Sequence, residues 1–284
     1  MHLRSLLTTV LGLLLANSAF AQTTFSEAHT VFQFNCSPCH ASLGSGGFNI
    51  AAPNITTAYS NSQLISYYVP GQTKGFASLV RVQDGSMPQG AGCTGDPALD
   101  IANSACLTAA EQAVLQAWID DGQLGPATGT RYCFGDGSGA PCPCGNNGSL
   151  QSGCANSVIA NGGRLVATGT AKVTNDTLVL RGSQLPNSPA VYFQGTTQVG
   201  GGSGASFGDG LRCVGGSTIR LGTKTSVSNK SVYPVPGDPK VSVRGAVPPS
   251  GGTRYYQVFY RNVEVFCQPE GFNLTNGLSI TWIP

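Results

Sequence analysis

Apolar positions follow a helical period in the first half of the chain and a strand period in the second. Ala28 and Phe32 lie one turn apart, which predicts a helix over 25–36. Val114, Leu115, Trp118 and Ile119 mark one face of a second helix. Thr108 and Glu111 form a capping box at its start, and Gly122 suits the position just past its end. After Tyr132 the helical period vanishes and glycine dominates. Short β-rich runs follow at 164–168, 177–180, 190–193, 218–221, 240–243, 255–260 and 279–283, which predicts an antiparallel sandwich. The clearest turn signals are Asn161-Gly162-Gly163, Pro248 to Gly252, and Asn276-Gly277.

At the N-terminus, Arg4 precedes an apolar run from Leu6 to Ala16, too short to span a bilayer. Ala19-Phe20-Ala21 follows as a small-x-small cleavage site, so residues 1–21 are expected to be a signal peptide. The expected protein is exported: periplasmic, cell-surface or secreted. The net charge of +2 conceals a division. Residues 22–130 carry two basic side chains, Lys74 and Arg81, against seven acidic ones, whereas residues 131–284 have a net charge of +6. The Gly/Pro/Thr stretch at 125–131 reads as a linker between domains at 22–124 and 132–284. The expected fold is therefore multidomain, all-α and then all-β, the β part disulfide-rich.

Cys36-Ser37-Pro38-Cys39-His40 is a C-x-x-C-H motif. Its two thiols have the spacing to reach the two vinyl groups of one haem, and the adjacent histidine then faces the iron, so one covalent haem c is expected. A thioredoxin-like pair or half a zinc site fits less well, because no second C-x-x-C and no βαβ pattern accompany it. For the sixth iron ligand, residues 22–284 offer one methionine, Met87, and one other histidine, His29. Met87 precedes Pro88 in an irregular stretch, as a ligand-presenting residue does, whereas His29 is expected on a helix surface. His29 ligation and a five-coordinate iron are the alternatives.

The motif with Ala28, Phe32, Leu115 and Trp118 resembles class I cytochromes c. The run Pro70-Gly71, Ser78-Leu79, Arg81-Val82, Met87-Pro88, Leu107-Thr108, Glu111 and Trp118 to Gly122 is similar to monohaem cytochrome domains of large exported bacterial proteins. The resemblance covers about residues 25–125 and implies an all-α cytochrome c domain that transfers single electrons. It also implies that the Pro53 carbonyl accepts a hydrogen bond from His40. Cys93 and Cys106 stand outside the general family pattern. They are expected to form a disulfide that clamps the loop after Met87, stabilising by about 3 kcal/mol.

Six cysteines remain, Cys133, Cys142, Cys144, Cys154, Cys213 and Cys267. The first four are expected to pair among themselves and Cys213 with Cys267, with a zinc site as the rival reading. Residues 133–157 resemble a C-terminal module of exported bacterial proteins. No histidine follows residue 40, which excludes histidine-dependent hydrolysis in this half. An electron carrier is thus expected, not an enzyme, with the β part attaching it to a surface or partner. The alternatives are a haem-containing redox enzyme component and a haem-bearing glycan- or ligand-binding protein. The acidic half suits a redox partner basic at its docking face, and the basic half an anionic polymer or membrane surface; nucleic acid is not expected.

Overall fold

The computed structural model describes residues 22–42 and 48–284, so the expected signal peptide lies outside the described residues. Four helices come first. The first, α1 (Phe25–His40), starts in a capping box in which Glu27 Oε2 accepts from the Thr24 backbone N–H at 3.0 Å. Asn54 caps α2 (Ile55–Ser62), and Thr73 caps α3 (Lys74–Gln83). The Thr108–Glu111 capping box opens α4 (Ala109–Asp120), and Gly122 ends it at φ +80°.

The apolar faces of these helices meet in one cluster around Phe25, Ala28, Phe32, Leu79, Leu115 and Trp118. The Phe32 and Trp118 rings meet edge to face with centroids 6.1 Å apart, which joins α1 to α4. Both side chains are fully buried, each contributing about 2–3 kcal/mol of apolar transfer. Glycine is required where α3 crosses α4. A Cβ at Gly75 would stand 2.6 Å from Trp118 Cη2.

The rest of the chain is antiparallel sheet. A six-stranded sheet runs β1 (Thr130–Tyr132), β13 (Gly277–Trp282), β11 (Gly252–Arg261), β4 (Pro189–Gly195), β9 (Ile219–Thr225), with β12 (Phe272–Leu274) also on β11. A three-stranded sheet runs β10 (Lys230–Tyr233), β3 (Val179–Ser183), β2 (Arg164–Thr168). Two ribbons pair β5 (Thr197–Gln198) with β8 (Val214–Gly215), and β6 (Ala205–Phe207) with β7 (Gly210–Arg212). Alternate residues of β11, Tyr256, Val258 and Tyr260, point into a core shared with Leu165, Leu180 and Tyr192. On the opposite face of β11, Gln257 is buried too. There the Gln257 side chain donates to Leu211 O at 2.8 Å and Thr275 O at 2.7 Å and accepts from Cys213 N at 3.0 Å.

The observed class is predominantly β, with antiparallel sheets and few helices. This corrects the expectation of an all-α cytochrome c domain followed by an all-β sandwich. The helices of residues 25–120 do not stand apart, because partly buried polar contacts tie them to the sheets. Glu27 Oε1 lies 3.0 Å from Arg164 Nη2 and 3.5 Å from Arg131 Nη2. Lys230 Nζ lies 2.5 Å from Asp121 Oδ1. The Gln22 backbone N–H donates to Ser183 Oγ at 3.1 Å. The stretch expected as a linker is itself sheet-bound: Thr128 N donates to Ala167 O at 2.8 Å, and β1 pairs with β13.

Three further local expectations change. Residues 240–243 were expected as a strand, but Val241–Arg244 form a short helix, α5, whose start is held by the buried Asp176 carboxylate accepting from Ser242 N at 2.7 Å. Asn276-Gly277 is not a hairpin turn. Strands β12 and β13 flank it on the same edge of β11, and the Asn276 amide bonds the Leu165 backbone of β2 in both directions. The disulfides are Cys93–Cys106, Cys133–Cys213, Cys142–Cys154 and Cys144–Cys267. The first matches the expected clamp. The expected Cys213–Cys267 pair does not form, and of the first four cysteines only Cys142 and Cys154 join each other.

Candidate functional site

The eight cysteines in disulfides leave two, and both are in the motif. The last turns of α1 carry Cys36, half-buried, and Cys39, exposed, three positions apart and therefore on one helix face. They open on a cavity of 590 Å³ whose wall also includes His40 and Met87, with Phe32, Ile50, Leu107 and Leu115 as its apolar floor. That volume lies within the range of small-molecule and cofactor sites, about 300–1,000 Å³.

His40 is oriented by a backbone carbonyl. Its Nδ1–H donates to Phe48 O at 3.0 Å, which fixes the tautomer and leaves the Nε2 lone pair available. This carbonyl takes the part expected of Pro53. Pro53 is exposed and does not line the cavity. Met87 is half-buried and packs against the helical core. Its backbone N–H donates to Arg81 O at 2.9 Å, tying the loop to the end of α3.

The loop after Met87 folds back on that helix end. A Cβ at Gly95, where φ is +85°, would stand 2.1 Å from Gln83 O, so only glycine permits the approach. The Asp100 carboxylate accepts from the backbone of Thr94 and Gly95, which holds its pKa below the usual range, and the Cys93–Cys106 bridge closes the loop.

His29 is neither a surface residue nor part of the site. It is buried, stacks on Phe25 with ring centroids 5.5 Å apart, and donates from Nε2 to Ala52 O at 2.8 Å. The Cys36 thiol is pushed up to about 12 by burial, with the neighbouring Cys39 and Glu111 charges adding to the effect. It therefore stays protonated at neutral pH, opposite to what a thiolate nucleophile needs.

Sequence reasoning missed Phe48, because a backbone carbonyl leaves no residue signature. It also missed Tyr67, Tyr68, Lys74 and Arg81, which line the cavity. The two cations had a usable signal, since they are the only basic residues between 22 and 130.

The donor set suits an iron porphyrin. It combines two unpaired thiols three residues apart, an imidazole held in one tautomer and a thioether in the wall of one largely apolar cavity. Among the described residues, the one group of three Cys, His, Asp or Glu side chains whose ligand atoms lie within 4.8 Å of one another is Cys93, Asp100 and Cys106, and its sulfurs are already bonded to each other.

Comparison of the chain with family models, curated proteins and solved structures finds no match, no cytochrome family among them. With a mainly β architecture, four disulfides and few helices, the chain departs from the helical class I cytochromes c, and the resemblance read from its motifs is corrected on those grounds, as is that of residues 133–157 to an exported module.

Proposed function

We propose that this protein carries one covalently attached haem and passes single electrons, outside the cytoplasm. The observation that carries this reading is the convergence of Cys36, Cys39, His40 and Met87 on one cavity while every other cysteine is paired. Cys36 and Cys39 would hold the group covalently through their thiols, by additions to its vinyl groups that would need no oxidant. His40 Nε2 would ligate the iron, and the Phe48 carbonyl keeps that ring from turning. Met87 would supply a thioether ligand to the iron, which would favour the reduced state relative to a second histidine. The bound group supplies an iron that alternates between the ferrous and ferric states. Phe32, Ile50, Leu107 and Leu115 exclude water from the cavity floor. In this reading the basic β part attaches the carrier to an anionic polymer, a membrane surface or a partner, and the acidic helical part meets a basic redox partner.

The test is an optical redox titration of the protein produced with c-type maturation machinery. One reversible haem is expected, with a weak methionine-to-ferric-iron band that Met87→Ala removes. A loaded protein without that band that readily binds carbon monoxide or cyanide overturns the Met87 assignment and favours a redox enzyme component. A chain that takes up no haem overturns the reading as a whole.

A further inference from the structure

Residues 22–130 hold seven carboxylates and two cations, Lys74 and Arg81, both on α3. Charge attraction alone would set these cations against some of the seven. Among the described residues they make no ion pair; the four ion pairs all use cations of the β part. Both instead sit half-buried in the wall of the cavity that holds Cys36, Cys39, His40 and Met87. They are seven residues apart, two helical turns, so they share one face of α3 about 10 Å apart along its axis.

Each cation is held in place by the cavity's own walls. Lys74 Nζ lies 5.2 Å from the centroid of the Phe48 ring, and Arg81 Cζ lies 4.7 Å from that of Tyr68. Arg81 Nε donates to Ser86 Oγ at 3.1 Å, which orients the guanidinium and leaves its two terminal nitrogens without a hydrogen bond among the described residues. Helices α1 and α3 both pack on α2 and α4 and both contribute to the cavity wall, and the Gly75–Trp118 contact fixes where α3 sits. Asp84 is near enough to feel the Arg81 charge, but neither cation is engaged in a close ion pair, and two cations facing one cavity suit a ligand with two negative groups.

We infer that Lys74 and Arg81 bind the two propionate carboxylates of the haem proposed above, holding the edge of the macrocycle remote from the Cys36 and Cys39 attachments. The inference rests on that haem reading and extends it from the iron to the periphery. Arginine offers a planar fork for one carboxylate and lysine a point charge for the other. The other titratable groups facing this cavity are Cys36, Cys39 and His40 on α1 and Tyr67 and Tyr68 between α2 and α3. Asp84 stands behind Tyr68, accepting from its hydroxyl at 2.8 Å.

The experiment is the midpoint potential of the haem-loaded full chain as a function of pH, for the wild type, Lys74→Gln, Arg81→Gln and the charge-conserving Lys74→Arg and Arg81→Lys. Loss of a cation beside a carboxylate raises that carboxylate's pKa. The glutamine variants should therefore move the pH-dependent step in potential upward by about one pH unit and lower the potential at neutral pH. The charge-conserving variants should keep the step near its wild-type position. Glutamine variants that load haem and retain the wild-type curve overturn the propionate assignment alone. Charge-conserving variants displaced as far as the glutamine ones overturn it as well. Where a glutamine variant fails to load, the charge-conserving variants decide. A wild-type chain that takes up no haem overturns both this inference and the reading beneath it.

Discussion

Glu27 Oε1 stands 3.0 Å from Arg164 Nη2, a contact between the first turn of the motif helix and the first strand of the three-stranded sheet. The same carboxylate reaches Arg131 Nη2 at 3.5 Å, while its other oxygen caps α1. Burial, with the Arg131 charge beside it, pushes Arg164 down to about 10, and Glu27 works against that fall. One carboxylate thus serves helix capping, charge compensation and the join between helices and sheets.

Glu27→Gln should therefore destabilise the fold by about 2 kcal/mol. It leaves two partly buried guanidinium groups without their counter-charge and weakens the capping box. Chemical denaturation of wild type and variant measures this. The loss should largely persist in high salt, since the groups of the pair are mostly shielded from solvent. A difference that salt abolishes would mark it as an ordinary surface pair.

The loop bearing Met87 depends on the approach of Gly95 to Gln83 and on the Cys93–Cys106 bridge. Gly95→Ala requires both a positive φ and a shift of backbone, and should cost about 1–3 kcal/mol. Replacing Cys93 and Cys106 by serine should cost about 3 kcal/mol. In haem-loaded protein both changes should weaken the methionine band and leave covalent attachment unchanged, which absorbance and mass spectrometry together report.

Alkaline pH should unfold the protein. Burial pushes Tyr192 up to about 12 and also raises Tyr132, Tyr256 and Tyr260. These are acids whose folded pKa lies above the unfolded value, so their contribution is intact below pH 10 and is lost as pH rises beyond it. Arg164, Arg131 and Arg181, bases with lowered folded pKa, act in the opposite sense, so stability above pH 10 gains from these three arginines and loses from the tyrosines, Tyr59 and Tyr233 included. A tenfold difference in acidity between the folded and unfolded chain amounts to about 1.4 kcal/mol at full titration. Circular dichroism and tyrosinate absorbance should change together, cooperatively, above pH 10. Gradual tyrosine ionisation with the fold retained would refute this.

Replacing Cys133 and Cys213 by serine opens a loop spanning 80 residues and removes the centre of the cluster behind β11. The loss should be about 4 kcal/mol, larger than for either bridge that spans a dozen or so residues. Urea midpoints of the three paired-serine variants give the ranking.

What the sequence revealed depended on how local the cause was. The helices over 25–40 and 109–120 were legible because the capping boxes and apolar faces lie within them. Cys93–Cys106 was legible because its partners are close in sequence and bracket one loop. The short helix at Val241 was not, because its alternating valines mimic a strand and the group that starts it, Asp176, is 66 positions away. The Phe48 carbonyl was hidden for a different reason, since every residue has one. Two exposed-looking cations in an acidic stretch carried their information in what they failed to pair with. The overall class was misjudged because strands as short as Thr197–Gln198 and Val214–Gly215 carry almost no periodic signal, and because the contacts that bind helices to sheets are between single charged residues far apart in sequence.

The order of the cysteine pairings constrains how the chain is made. Cys133 lies before Cys142 and Cys144 yet bonds to Cys213, and Cys144 skips Cys154 to reach Cys267. An oxidant acting on thiols in the order in which they leave the ribosome or a translocon would join the wrong neighbours. The native pattern then has to be reached by thiol–disulfide exchange once the last strands are present. Cys36 and Cys39 emerge before all of these, so until they are themselves bonded they are two further thiols open to the exchange that sorts the other eight.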